Sequence, residues 1–170
     1  LCYLGHLNAI KEELTPLENL LAAARLGGTT LSEDDAIDAL LDRYPDDETF
    51  VVGDSPVMSA RLVALVRDGR KTASCGALRD YIESDDPMPE VGRQDIVLNW
   101  DGTPALVIET VEVTIRRFAD VPEDFALAEG ENDTREGWAE DHKQFFERNG
   151  GWSDNMELVC ERFKVIEDLA

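Results

Sequence analysis

The chain has 170 residues, 43% of them apolar, and 37 Asp and Glu against 16 Lys and Arg, for a net charge of −21. That length suits one ordinary domain with a hydrophobic core, or a compact domain with a helical appendage, and the apolar share belongs to a folded chain. The acidic field repels polyphosphate, which excludes non-specific coating of nucleic acid by the whole surface. No run approaches the roughly 18–20 apolar residues of a membrane span.

Residues 1–48 read as an N-terminal helical extension. Leu4, Leu7, Ile10 and Leu14 recur at helical spacing, and Thr15-Pro16-Leu17-Glu18 has the form of a capping box that opens a second helix, stopped by Gly27-Gly28. Ser32-Glu33-Asp34-Asp35 caps a third helix with Ile37, Leu40 and Leu41 on one face. Such a segment packs on its own chain or pairs with a second copy in a homodimer. The start lacks a basic region leading into an apolar run and a small-residue cleavage site, so cytoplasm is the expected compartment, while the start at Leu1 rather than Met leaves a leader open.

The main domain is expected over 49–170. Ser55-Pro56 starts a helix whose buried face is Met58, Leu62, Val63, Leu65 and Val66, and Gly69 ends it. An extended segment, Lys71 to Cys75, follows, then a helical turn carrying Tyr81 and a loop around Pro87 and Pro89. Asp95 to Trp100 reads as a strand and Asp101-Gly102 as a hairpin turn. Ala105 to Phe118 is a long strand with Val107, Glu109, Val111, Val113 and Ile115 on one parity. A short helix (Val121 to Ala128), a capped helix through Trp138, His142, Phe145 and Phe146, and a final strand (Met156 to Ile166) complete an α+β order with an antiparallel sheet rolled toward a barrel.

Cys2, Cys75 and Cys160 are far apart, and His6 and His142 are the only histidines, so no paired metal-ligand spacing exists and no metal or cofactor is expected. Arg61, Arg67, Arg70, Lys71 and Arg79 face only Asp68, a local balance of +4 that leaves −25 on the remainder. This island reads as a focused anion site or as solvated positions at one helix end.

Two segments concentrate reactive groups. Gly69-Arg70-Lys71-Thr72-Ala73-Ser74 sets a cation and hydroxyls behind a glycine turn, where a Ser next to a buried Lys is a candidate nucleophile. The alternative is a strand entering the sheet behind a helix end. Ala128-Glu129-Gly130-Glu131-Asn132-Asp133 offers a carboxylate as general acid, or caps the next helix. Lys71 and Ser74 differ in parity, so a direct pair requires a bulge or turn within 71–75. Cys75 is a thiol candidate with His142 or a small buried residue; Trp138 stacks on a base or packs in the core.

Gly53-Asp54-Ser55-Pro56, Gly-Arg-Lys-Thr-Ala-Ser, Val107-Ile108-Glu109-Thr110, Ala-Glu-Gly-Glu, Trp138 with His142 to Phe146, and Val159-Cys160-Glu161-Arg162-Phe163 occur in this order. The set resembles the bacterial ASCH-domain family throughout roughly Phe50 to Ile166. The resemblance implies a small PUA-like antiparallel β-barrel with flanking helices and a cleft lined by the Lys71 turn. One branch hydrolyses the amide of N4-acylated cytidines, which implies Lys71, Ser74 and Glu131 as catalytic residues, Ser74 standing where that branch has Thr. Another is a ribonuclease using a Lys with nearby Tyr and Ser residues, here Lys71, Tyr81 and Ser74. Arg70, Thr72, Arg79, Tyr81, Trp138 and His142 are the implied substrate-binding residues. The substrate is then a modified nucleoside or single-stranded RNA, or the chain is a non-catalytic reader of such a ligand. The chain departs from the family in holding Ser74 and Gly76 where many members carry Glu and Arg.

Overall fold

The computed structural model describes residues 48–84 and 87–169. The helical extension expected over 1–48, and any association through it, lies outside the described residues except for Glu48, which opens the first strand. In chain order the elements are β1 (Glu48–Val51), α1 (Pro56–Arg67), β2 (Ala73–Ala77), α2 (Leu78–Ser84), β3 (Gln94–Leu98), β4 (Pro104–Arg117), a 3-10 turn (Phe118–Asp120), α3 (Glu123–Ala128), α4 (Arg135–Arg148) and β5 (Glu157–Asp168).

The strands form one sheet in the order β1-β3-β4-β5-β2. Three of its pairings are antiparallel. The fourth, β1 with β3, is parallel, so the sheet is mixed rather than purely antiparallel. β1 went unread because four residues at a sheet edge carry too short a pattern to signal a strand.

Local chemistry explains the helices. Ser55 caps α1 by accepting from the Met58 amide at 3.4 Å, and Pro56 occupies the first turn, where its missing N–H costs nothing. The helix buries Leu62, Val63, Leu65 and Val66, each contributing about 1.5–3 kcal/mol. Gly69, at φ +70°, turns the chain out of the helix so that the Arg70 and Lys71 amides both bond Leu65 O at 2.9 Å. Thr134 caps α4 by accepting from the Gly137 amide at 3.1 Å. Among the described residues no helix is long and apolar enough to cross a membrane.

The sheet separates two main cores, with a smaller cluster of Val51, Ile96, Leu98 and Val107 beside them. On one face α1 packs Leu62, Val63 and Val66 against Val97, Leu106, Ile108 and Phe163. On the other, Ala73, Cys75, Ala77, Leu158 and Cys160 meet Phe118, Phe125, Trp138 and Phe146 from the 3-10 turn, α3 and α4. β4 serves both faces by strand alternation, with Leu106 and Ile108 on one and Val107 on the other, until a bulge interrupts it: Thr110 pairs with Phe163 and Glu112 with Arg162, leaving Val111 as an extra residue. The single-parity stripe expected along β4 therefore breaks at Val111, which is 43% exposed, and Ile115 beyond it is 52% exposed. A bulge shifts every later side chain to the other face, so the alternation read from sequence describes only the first half of the strand.

Candidate functional site

The second core holds a buried polar cluster at its rim. Lys71, 1% exposed, leaves the Gly69 turn and places Nζ 3.4 Å from Glu129 Oε2, 3.3 Å from the Glu129 carbonyl and 3.3 Å from Glu131 Oε1. The 128–131 loop is bound to the Lys71 turn by its backbone, with the Thr72 amide donating to Ala128 O at 2.8 Å. Gly130, at φ +74°, makes this approach possible: a Cβ there would lie 2.5 Å from Arg70 O and 2.9 Å from the Lys71 amide nitrogen. The glycine thus lets the two flanking glutamates close on one ammonium.

Glu129 is fully buried and gathers further partners. Trp138 Nε1 donates to Oε1 at 3.1 Å, and His142 Nε2 stands 3.3 Å from Oε2. His142 Nδ1 lies 2.9 Å from the Trp138 carbonyl, which can only accept, so Nδ1 carries a proton. Nε2 consequently meets the carboxylate only through a positive charge placed between them. Burial alone would raise the Glu129 carboxyl, but the positive charge at His142 and the Lys71 ammonium outweigh it, helped by the indole N–H, and hold it at about 2. The Cys75 thiol completes the group. Its sulfur, His142 nitrogen and Glu129 oxygen lie within 4.8 Å of one another, and burial followed by the charge of Glu129 pushes the thiol well above its usual range. These three are the residues in the cluster that could hold a metal ion.

The structure brings Lys71, Glu131 and His142 together but puts Ser74 elsewhere. Registry runs unbroken from Ala73↔Arg162 through Ser74↔Glu161 to Cys75↔Cys160, without a bulge in β2. Cys75 and Cys160 belong to the second core, so Ser74 and Glu161 share the opposite face. There Thr110 donates a short hydrogen bond to Glu161 Oε1. Glu161 is pushed up to about 7, by burial first, with Thr110 opposing, Asp95 adding and Arg93 opposing.

The remaining candidates scatter. Arg70 is exposed, with its carbonyl beneath Gly130. Thr72 Oγ1 lies 3.5 Å from Ala128 O. Arg79 clamps the end of α4, donating to Gly151 O at 2.6 Å and Asn149 O at 3.2 Å. Tyr81 is buried on α2. Trp138 is fully buried, stacked between Phe118 at 5.2 Å and His142 at 4.4 Å, so its faces are occupied by protein. The basic island is also dispersed, since Lys71 is internal and Arg67 pairs with Asp168 at 2.9 Å.

Sequence reasoning missed Glu129 and Glu161 as site residues. For Glu161 the signal was available: it sits at core parity between Val159 and Phe163 on β5. Glu129 and Glu131 look alike in sequence, and only the turn at Gly130 decides that Glu129 is the buried one.

A mixed half-barrel with helices on both faces, and a Lys held by an Ala-Glu-Gly-Glu loop, define an α+β protein of PUA-like architecture. The model of the ASCH domain matches residues 48–167, and the chain belongs to that family. It is similar to the crystal structure of an ASCH domain from Lactobacillus crispatus, with 28% identity and a TM-score of 0.68, over 95% of this chain and 98% of the other. A protein from Enterococcus faecalis is similar at 29% identity and a TM-score of 0.67, over 88% and 89% of the two chains. Among curated proteins, short segments match the cytochrome c biogenesis ATP-binding export protein CcmA. The match is 88% identical over 40 residues for Dechloromonas aromatica and 53% over 38 for Nitrosomonas europaea. The chain spans about a fifth of the length of these curated relatives, 20% and 18% respectively.

Proposed function

We propose that this protein is an ASCH-domain hydrolase that opens the amide of a modified nucleoside of the N4-acetylcytidine type. The observation that carries the reading is the Lys71–Glu131 pair, 3.3 Å apart, with the Glu131 side chain at the outer side of a buried network. In this reading Lys71 passes a proton to Glu131, which leaves an amine to act as base and a carboxylic acid to serve the leaving group. Ser74 Oγ attacks the amide carbon and its proton goes to Lys71. The cytidine amine departs with the proton from Glu131, leaving an acyl-Ser ester. Water then cleaves the ester, its hydroxyl going to the acyl carbon and one proton returning to Ser74, with Lys71 and Glu131 already back as ammonium and carboxylate.

The register of β2 makes the Lys71–Ser74 transfer the demanding step, because the two start from opposite sides of the strand. Neutralising the Lys71–Glu131 pair loosens the amine from its carboxylates and lets it reach round the strand edge. The net charge of −21 suits a small neutral substrate better than a polyanion. Dispersal of the basic island weighs against the ribonuclease alternative, which needs a continuous phosphate-tracking groove.

The test offers N4-acetylcytidine and single-stranded RNA in parallel, with and without chelator, to the wild type, Glu131→Gln, Ser74→Ala and Lys71→Met, each checked for folding by circular dichroism. Cytidine release from wild type, reduced at least about 100-fold in each variant, with RNA intact, is the expected result. RNA cleavage dependent on Lys71 would replace this reading with the ribonuclease one. Neither activity would leave ligand binding as the role of the site.

A further inference from the structure

We propose that Cys75, Glu129 and His142 form a binding site for one divalent transition-metal ion of the zinc class. The inference does not rest on the hydrolase reading.

The starting point is the position between His142 Nε2 and Glu129 Oε2. Nε2 is buried, makes no hydrogen bond of acceptable geometry, and stands 3.3 Å from the Glu129 carboxylate. Two lone pairs at that distance repel unless a cation lies between them. A proton alone leaves Nε2 without a hydrogen bond of acceptable geometry. A metal ion satisfies both groups, since it binds each ligand along its own bond. At metal–ligand distances of about 2.0–2.3 Å, neighbouring donors of a tetrahedral site stand about 3.3–3.8 Å apart. The N···O separation of 3.3 Å is already that value, and the wider pairs of the cluster, all within 4.8 Å, need to close by about 1 Å.

Three independent features agree. The third donor is a thiol rather than another carboxylate, and a sulfur–nitrogen–oxygen set selects zinc-like ions over magnesium or calcium. The Nδ1–H of His142 is fixed by the Trp138 carbonyl, the outer-shell contact that orients metal-bound imidazoles. The ligands also come from three differently anchored places: strand β2, the loop after α3, and helix α4. The thiol, which burial holds protonated without an ion, would lose its proton on binding, so uptake should release acid. Two features oppose a loosely held ion. Lys71 Nζ lies 3.4 Å from the same Glu129 oxygen, and burial leaves no direct path from solvent. The ion is therefore taken up during folding or local opening, with Lys71 turned mainly to Glu131.

The absence of paired Cys/His spacing hid this site, because its ligands are brought together by β2 pairing and by α4 packing rather than by sequence proximity.

The test is a titration of the chelator-treated full chain with cobalt(II), followed by competition with zinc(II). Binding of one equivalent with a sulfur-to-cobalt charge-transfer band and tetrahedral d–d absorption is expected. Cys75→Ser should abolish the charge-transfer band, and His142→Gln should weaken binding at least about 100-fold, beyond the usual cost of disturbing an outer contact. Cys160→Ser and Cys2→Ser should leave spectrum and affinity unchanged. Circular dichroism and the thermal midpoint without metal separate a lost ligand from a lost fold. Absence of saturable one-equivalent binding in wild type, or a charge-transfer band that survives Cys75→Ser, would overturn the proposal. Absence of cytidine release from a wild type that binds cobalt normally would speak against the hydrolase reading alone.

Discussion

Two buried glutamates on opposite faces of one sheet are driven in opposite directions. Glu129 is fully enclosed, yet its carboxyl sits at about 2, whereas Glu161, nearly as buried, sits at about 7. Burial pushes both upward. The difference lies in what surrounds them: Glu129 faces Lys71, His142 and an indole N–H, while Glu161 feels a threonine hydroxyl, the like charge of Asp95 and the smaller opposing effect of Arg93. Enclosure therefore does not decide the charge of a group in this protein; its partners do. The two faces have different uses as a result. One holds a permanent anion that can anchor a cation, and the other holds a carboxyl poised to exchange a proton near neutral pH.

The comparison breaks most sharply under removal of the charge. Glu129→Gln leaves the positive charge at His142 unpaired in the interior and Lys71 paired with Glu131, and is expected to cost about 3–5 kcal/mol in urea unfolding at neutral pH. Glu161→Gln should cost far less at neutral pH, because the amide resembles the protonated carboxyl that the site already favours. Equal losses in the two variants would refute the contrast.

pH gives the next largest effect. The Glu161 carboxyl is raised from 4.5 to about 7, so the folded state holds its proton more tightly than the unfolded chain. Its contribution is fully present below pH 4.5 and is lost as pH rises to 7, on the order of 3 kcal/mol in total. Glu129 behaves oppositely, its contribution being present above pH 4.5 and lost as pH falls toward 2. Unfolding free energies measured across pH should therefore lose the decline between 4.5 and 7 in Glu161→Gln while keeping the acid limb.

Gly130→Ala sharpens the comparison without touching a charge. The added methyl collides with the Arg70 carbonyl at a positive φ, so the loop must retreat from Lys71. A loss of roughly 2 kcal/mol or more, with the Glu161 titration unchanged, is expected. The smallest effect is that of Thr110→Val, which removes the hydroxyl donating to Glu161. Stability should fall by about 1 kcal/mol at pH 8, and the midpoint of the neutral pH transition should rise. An unchanged midpoint would mean that Thr110 does not stabilise the charged form.

Much of the architecture was legible because it is written in local chemistry. Ser55-Pro56, Gly69 and Asp101-Gly102 mark their own boundaries through caps and turn geometry, and the structure places α1 and the β3–β4 hairpin accordingly. The mixed character of the sheet was not legible, since the four residues of β1 owe their strand state to pairing with β3. The bulge at Val111 was equally hidden, because Thr, Val and Glu fit either register there and distant β5 residues choose between them. For the site, the resemblance singled out Lys71 and Glu131, and the two lie side by side. It also singled out Ser74, which the regular pairing of β2 turns to the Glu161 face. Glu129 and Cys75 join the cluster through a close backbone approach and strand pairing, which no spacing rule encodes.

The contact between the Lys71 turn and the 128–131 loop has a kinetic meaning. Lys71 and Glu129 are 58 positions apart, and the Thr72–Ala128 backbone bond closes a loop of similar size. Contacts of such separation form only after much chain entropy has been given up, so they belong late on the folding path. A chain arrested before that closure could have both cores partly collapsed and still lack every one of its buried ion pairs around Glu129. Recovery of the site during refolding, followed through the Trp138 indole that joins it, therefore reports a long-range closure rather than the first local collapse.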